Sequence, residues 1–267
     1  MQIPVHADPD DPAQQRERDR RRGRRALNAA LAAVLALLAI HAAVAGVDVR
    51  AWTVQPGVPE GLRGLLTAPL LHGSWAHVGA NAIALLLLGA LAGTVYPRAV
   101  ARALPLLWLG SGLGAWVLGT PGTYHLGASG VTHGLTFLLL ALGLLRRDRA
   151  AVAAAMIAFL LYGGMLLTVL PREPGVSWQS HLGGALAGVL AAALLRRVDP
   201  APPRKRYDWE DEADATPEQA RDADTFEPPR PQHVPTLWQR SAPPRGVILR
   251  FPAPRGDGRD RPGPDGA

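Results

Sequence analysis

Cysteine is absent from all 267 residues, which removes a disulfide framework, a thiolate nucleophile and a cysteine-ligated zinc site together. Charge is scarce as well, at 19% of residues against 48% hydrophobic, and the two classes are segregated along the chain. Leu, Ala, Gly and Val dominate from about Ala26 to Val198, and both ends are polar. Asp, Glu and Lys are missing altogether from six apolar runs: Ala26–Gly46, Ala76–Tyr96, Ala101–Gly119, His125–Leu145, Ala151–Leu170 and Trp178–Leu195. The third run alone holds an arginine, Arg102, at its edge. A bilayer core of ~30 Å needs about 20 helical residues, so each run has the length of a transmembrane span.

Three segments follow: a basic leader at 1–25, a six-span membrane domain at 26–198, and a Pro/Arg-rich tail at 199–267. The tail is too poor in apolar residues to offset the entropy of ordering it, and the tails are expected to be disordered. The formal charge of +6 could suit a nucleic-acid binder, yet the arginines sit beside the apolar runs, where they act as topology signals. On one side fall the leader, Arg98, Arg102, the cluster Arg146-Arg147-Asp148-Arg149, and Arg196-Arg197. The other side holds Arg50, Arg63 and Arg172. The positive-inside rule then puts both termini in the cytoplasm and the loops 47–75, 120–124 and 171–177 outside. A cleaved signal peptide ending at Ala43-Val44-Ala45 is the rival reading of the first run. The long charged leader and spanning length favour a retained span. The long 47–75 loop, with Trp52 and Leu65-Leu66, is expected to lie partly in the membrane interface.

Polar residues within a span are costly, so each is a functional candidate. His77 and Asn81 lie in the second span, Ser129 and His133 in the fourth, and His181 in the sixth. Ser129 and His181 fall about four and three residues into their spans, at a similar depth below the outer side. His77 and Asn81 are four apart and share a helix face, where two donors can serve an oxyanion. Taken alone, that pair reads first as structural, with His77 capping the helix and Asn81 bonding across helices.

Serine needs a base to attack a peptide carbonyl, and imidazole is suited to take the proton and return it to the leaving amine. His181 supplies one on a helix whose Gly184 and Gly188 permit close contact. His133, four residues after Ser129, is the alternative base, or a packing residue beneath His181. With no carboxylate in any span, the expectation is a Ser–His dyad. Gly127 and Gly130 flank the serine and clear space around its hydroxyl. A haem or metal site using His72, His77, His125, His133 and His181 is a further reading, although His72 and His77, five apart, would point to different helix faces.

The pattern resembles the rhomboid intramembrane serine proteases: His77-x-x-x-Asn81 in the second span, Gly127-Ala128-Ser129-Gly130 opening the fourth, and His181 with Gly184 and Gly188 in the sixth. Leu66 to His77 is similar to the family's approach to its second span. The resemblance implies a helical six-span bundle and cleavage of single-span membrane substrates without cofactor or metal. It assigns Ser129 as nucleophile, His181 as base, and His77, Asn81 and the Ser129 N–H as the oxyanion site. It matches His72 to a further family histidine, the 47–75 segment to the membrane-dipping first loop, and the fifth span around Tyr162-Gly163-Gly164 to the lateral gate. Where the family often stacks Tyr or Phe on the catalytic histidine, this chain has His133. The Trp-Arg pair of many first loops is replaced by Arg50-Ala51-Trp52. A silent relative that binds or escorts membrane clients is the competing function, and it would need neither Ser129 nor His181. Composition suggests a bacterial inner membrane.

Overall fold

A computed structural model describes residues 12–200. Among these, seven α-helices and four 3-10 segments occur and no β-strand. The helices are α1 (Pro12–Ala43), the short α2 (Gly64–Thr67), α3 (Trp75–Val95), α4 (Pro97–Leu118), α5 (Ser129–Arg146), α6 (Arg149–Tyr162) and α7 (Trp178–Leu195). Six helical stretches are long and apolar enough to cross a membrane, α6 counting together with the 3-10 segment Gly163–Val169 that follows it. The chain is an all-helical, multi-pass membrane bundle.

Glycine and alanine seams set how the spans pack, because without a hydrophobic drive between helices in lipid, close approach decides association. A side chain at Gly184 would strike the Gly130 carbonyl, and one at Gly188 would strike that of Gly134, so α5 and α7 run backbone against backbone. Gly110 and Gly114 of α4 meet Ala187 and Gly183 of α7 in the same way. Gly89 and Gly93 of α3 receive Ala30 and Ala26 of α1. The helix α5 is the most enclosed of the six, with Val131, Leu135, Leu138, Leu139 and Leu142 all buried.

Several element bounds differ from the sequence expectation for identifiable reasons. The leader, expected to be disordered, is helical from Pro12, with exposed i,i+4 pairs such as Glu17–Arg21 at 2.8 Å along it. The fourth span begins at Ser129 rather than His125, because Gly127 has φ +118°, which no helix accommodates. Ser129 is therefore the first residue of its helix and not four residues into it. The fifth span is α-helical only to Tyr162 and then tightens into the 3-10 segment. The disorder expected for 201–267 lies outside the described residues, as does that for 1–11.

The 47–75 loop is compact. Val54 and His125 exchange backbone hydrogen bonds of 3.0 and 2.9 Å, and two indoles of α4 donate into the loop, Trp108 to the Leu66 carbonyl at 3.1 Å and Trp116 to that of Val58 at 2.9 Å. At the opposite, basic end, Arg146 is buried beneath the chain exit. It pairs with Asp148 at 2.9 Å and donates to the carbonyls of Arg196 (3.1 Å) and Asp199 (2.9 Å). The Asp199 carboxylate caps α4, accepting from the N–H groups of Arg98 (3.1 Å) and Ala99 (2.9 Å).

Candidate active site

Ser129 opens α5 because Gly127, at φ +118°, cannot continue a helix backwards and Ala128 serves as the N-cap, and the first N–H groups of a helix have no i−4 partner. The positive end of the helix dipole is thus centred on the serine. Its hydroxyl lies 2.9 Å from Nε2 of His181, which is brought there by the glycine contact of α5 with α7. Nδ1 of His181 faces the Thr168 carbonyl at 3.1 Å and its hydroxyl at 3.2 Å. A carbonyl only accepts, so Nδ1 carries the proton and Nε2 presents its lone pair to Ser129.

His133 stacks on His181, with ring centroids 3.8 Å apart and planes inclined by 13°. Its Nδ1 lies 2.7 Å from the Ser129 carbonyl, and its Nε2 lies 2.8 Å from the Thr168 hydroxyl and 3.1 Å from the Met165 carbonyl. The imidazole thus meets the backbone of Ser129, while the Ser129 hydroxyl meets His181. The loop closes through Thr168, which touches both rings.

On the other flank, α3 is capped by Ser74, whose hydroxyl accepts from the His77 N–H at 3.1 Å, and the Asn81 amide donates to the His77 carbonyl at 3.1 Å. Both side chains come against Gly127: a Cβ there would lie 2.8 Å from the His77 ring and 3.8 Å from the Asn81 amide nitrogen. His77, Asn81 and the approach to Ser129 therefore share one corner. His72 is buried beside them, its Nε2 accepting the Ala128 N–H at 3.3 Å. Burial holds its imidazole down at about 4, with His77 adding to the effect, so it stays neutral and able to accept. Because His72 precedes α3 rather than sharing it, the helix-face argument does not apply, and the His72 and His77 rings meet edge to face at 5.0 Å.

The Rhomboid domain matches residues 59–198, more than half of the chain and all of these residues. The chain belongs to the rhomboid family. Uncharacterized proteins of Mycobacterium tuberculosis and Mycobacterium bovis are 41% identical to it over 160 residues, 57% of this chain and 65% of theirs. One of Mycobacterium leprae is 40% identical over 152 residues, 54% of this chain and 59% of its own. The matches thus span under two thirds of these relatives.

In this rhomboid, two polar groups beside the serine and histidine have no counterpart among the sequence expectations. Thr168 is one, a hydroxyl whose only sequence signal is its place in a largely apolar span. The other is a buried pair, Ser111 on α4 and Ser180 on α7, with hydroxyls 2.7 Å apart. Any side chain at Gly130 would run into it. His125, by contrast, sits outside the cluster, tied to Ser177 at 2.6 Å and Thr123 at 2.9 Å.

Proposed function

We propose that this rhomboid is an intramembrane serine endopeptidase that cleaves single-span membrane proteins in or near their transmembrane segment. The observation that carries this reading is the 2.9 Å contact of the Ser129 hydroxyl with a His181 ring whose other nitrogen is committed to Thr168. Ser129 Oγ attacks the scissile carbonyl carbon as its proton passes to His181 Nε2. The resulting imidazolium returns that proton to the leaving amine, and a water activated in the same way releases the acyl group. Where a carboxylate would orient the base, the Thr168 carbonyl accepts the hydrogen bond of Nδ1–H, so the unit is a dyad held by backbone. His77, Asn81 and the Ser129 N–H stabilise the oxyanion.

The arginine distribution supports placing the basic end, with both termini, in the cytoplasm, so that the dyad lies near the outer face. Cleavage of a single-span substrate in liposomes tests the reading. Ser129→Ala and His181→Ala should each abolish it, since losing either member of such a unit costs on the order of 10⁶ in kcat. Continued cutting by Ser129→Ala would sink the protease reading, and an inactive wild type on a panel of substrates would favour a client-binding role.

A further inference from the structure

A second concave feature is walled by α1 and α4, with residues of α3 and α5 between them, and reaches as far as Ala128 beside Ser129. A groove of about 1270 Å³ runs between α1 and α4, larger than the ~300–1,000 Å³ usual for small-molecule sites. Its α1 wall is one continuous helix face: Arg18, Arg22 and Arg25, then Ala29, Ala33 and Ala36, at steps of three and four residues. Leucines stand on another face of α1, where Leu27, Leu31 and Leu35 are between 39% and 64% exposed. The small side chains of Ala29, Ala33 and Ala36 leave the groove hollow on this face. Ala101, Leu104 and Trp108 of α4 form the opposite wall, and Val131 and Leu135 of α5 the floor.

Charge distinguishes the groove from ordinary lipid-facing surface. Arg18, Arg21, Arg22 and Arg25 line it from α1, and Arg98 lines it from the first turn of α4. Of these, Arg21 is paired with Glu17, and Arg18 is bonded to Gln14. The guanidiniums of Arg22, Arg25 and Arg98 have no partner among the described residues. The one carboxylate lining the groove, Asp199, already accepts two N–H groups at the start of α4. Apolar length ending in unpaired cations complements a molecule with long apolar chains and an anionic head.

We propose that this groove binds an anionic phospholipid of the leaflet at the basic end of the bundle. Arg22, Arg25 and Arg98 hold its phosphate, and its acyl chains lie along Ala29, Ala33 and Ala36. A zwitterionic lipid would bring an ammonium group to the same arginines, and a transmembrane helix would leave them without a counter-charge. The proposal is independent of catalysis, and the Ser129→Ala protein binds the lipid as well as the wild type does.

Native mass spectrometry of the purified full chain in neutral detergent tests it, with dioleoyl phosphatidylglycerol and dioleoyl phosphatidylcholine as probes. Phosphatidylglycerol should bind more tightly. The triple variant Arg22→Gln, Arg25→Gln, Arg98→Gln should lose on the order of 100-fold of that affinity, with phosphatidylcholine unchanged. Ala33→Trp, at an exposed position, should weaken both lipids by filling the groove. Equal binding of the two lipids by the wild type, or unaltered phosphatidylglycerol binding by the triple variant, overturns the proposal. So does a photocrosslinker at Ala33, used in membranes, that captures a second copy, another protein or the chain's own residues after Pro200 rather than lipid.

Discussion

Replacing His133 by phenylalanine separates its two conceivable roles. If it supports His181, the ring matters most, because the two imidazoles are stacked at 3.8 Å; a phenyl ring preserves that contact. What is lost is the contact with the Ser129 carbonyl at 2.7 Å and with the Thr168 hydroxyl at 2.8 Å. At about 1 kcal/mol for each hydrogen bond, the change costs about 2 kcal/mol of stability. The Thr168 hydroxyl is then left to donate to the Met165 carbonyl at 2.8 Å, which keeps its orientation. Turnover should fall by no more than about tenfold, the equivalent of ~1.4 kcal/mol in the barrier. His133→Ala removes the ring as well and opens a void under the base, since His133 is almost fully buried; about 2 to 4 kcal/mol of stability and up to ~100-fold in turnover should go. The assay is initial-rate cleavage of a fluorescent single-span substrate in liposomes, with thermal unfolding run in parallel. A His133→Phe protein that is folded yet as inactive as Ser129→Ala would refute the support role and make His133 the base.

Three further outcomes are expected. Gly127→Ala places a Cβ 2.8 Å from the His77 ring at a φ of +118°, so cleavage should fall by roughly 10² to 10³ through a displaced oxyanion site, with fluorophosphonate labelling of Ser129 retained; activity within a few-fold of wild type would count against that site. Arg146→Ala removes the partner of half-buried Asp148, which keeps the Ala151 N–H, and of the Asp199 carbonyl, and should lower stability by about 1 to 3 kcal/mol with the Ser129–His181 contact intact, read as a drop in Tm; an unchanged Tm would mean that this node is dispensable. His72 is held at about 4, below its ordinary 6.5, so the unfolded chain binds the extra proton first; its contribution is fully present above about pH 6.5 and is lost as pH falls toward about 4, at most about 3 kcal/mol. His72→Gln, which keeps an acceptor for the Ala128 N–H, should flatten the acid limb of the Tm against pH curve, and an identical limb in both proteins would contradict the assignment.

The spans were legible because the bilayer imposes one requirement, an uncharged helical run of fixed length, and Trp178–Leu195 was read to the residue. Bounds failed where a local backbone effect interrupted an apolar run without changing its hydropathy. Gly127 moved the start of α5 to Ser129, and the tightening at Gly163 is equally silent in composition. The leader misled in the opposite direction: its charges read as a tail, yet Gln14, Glu17, Arg18 and Arg21 form i,i+4 pairs that carry α1 back to Pro12. Costly polar residues located His77, Asn81, Ser129, His133 and His181, and the structure brings Ser129 and His181 to hydrogen-bonding distance. Reading those residues one by one missed Thr168. Threonine is cheap in a helix, where its hydroxyl can return to its own backbone, so by itself it signals little. Its significance comes from position: Thr168 lies in the last turn of the 3-10 segment, where a carbonyl has no partner further along the helix and is free to face His181. The partner of His181 Nδ1 is thus a backbone group at a helix end, invisible to any search for acidic side chains.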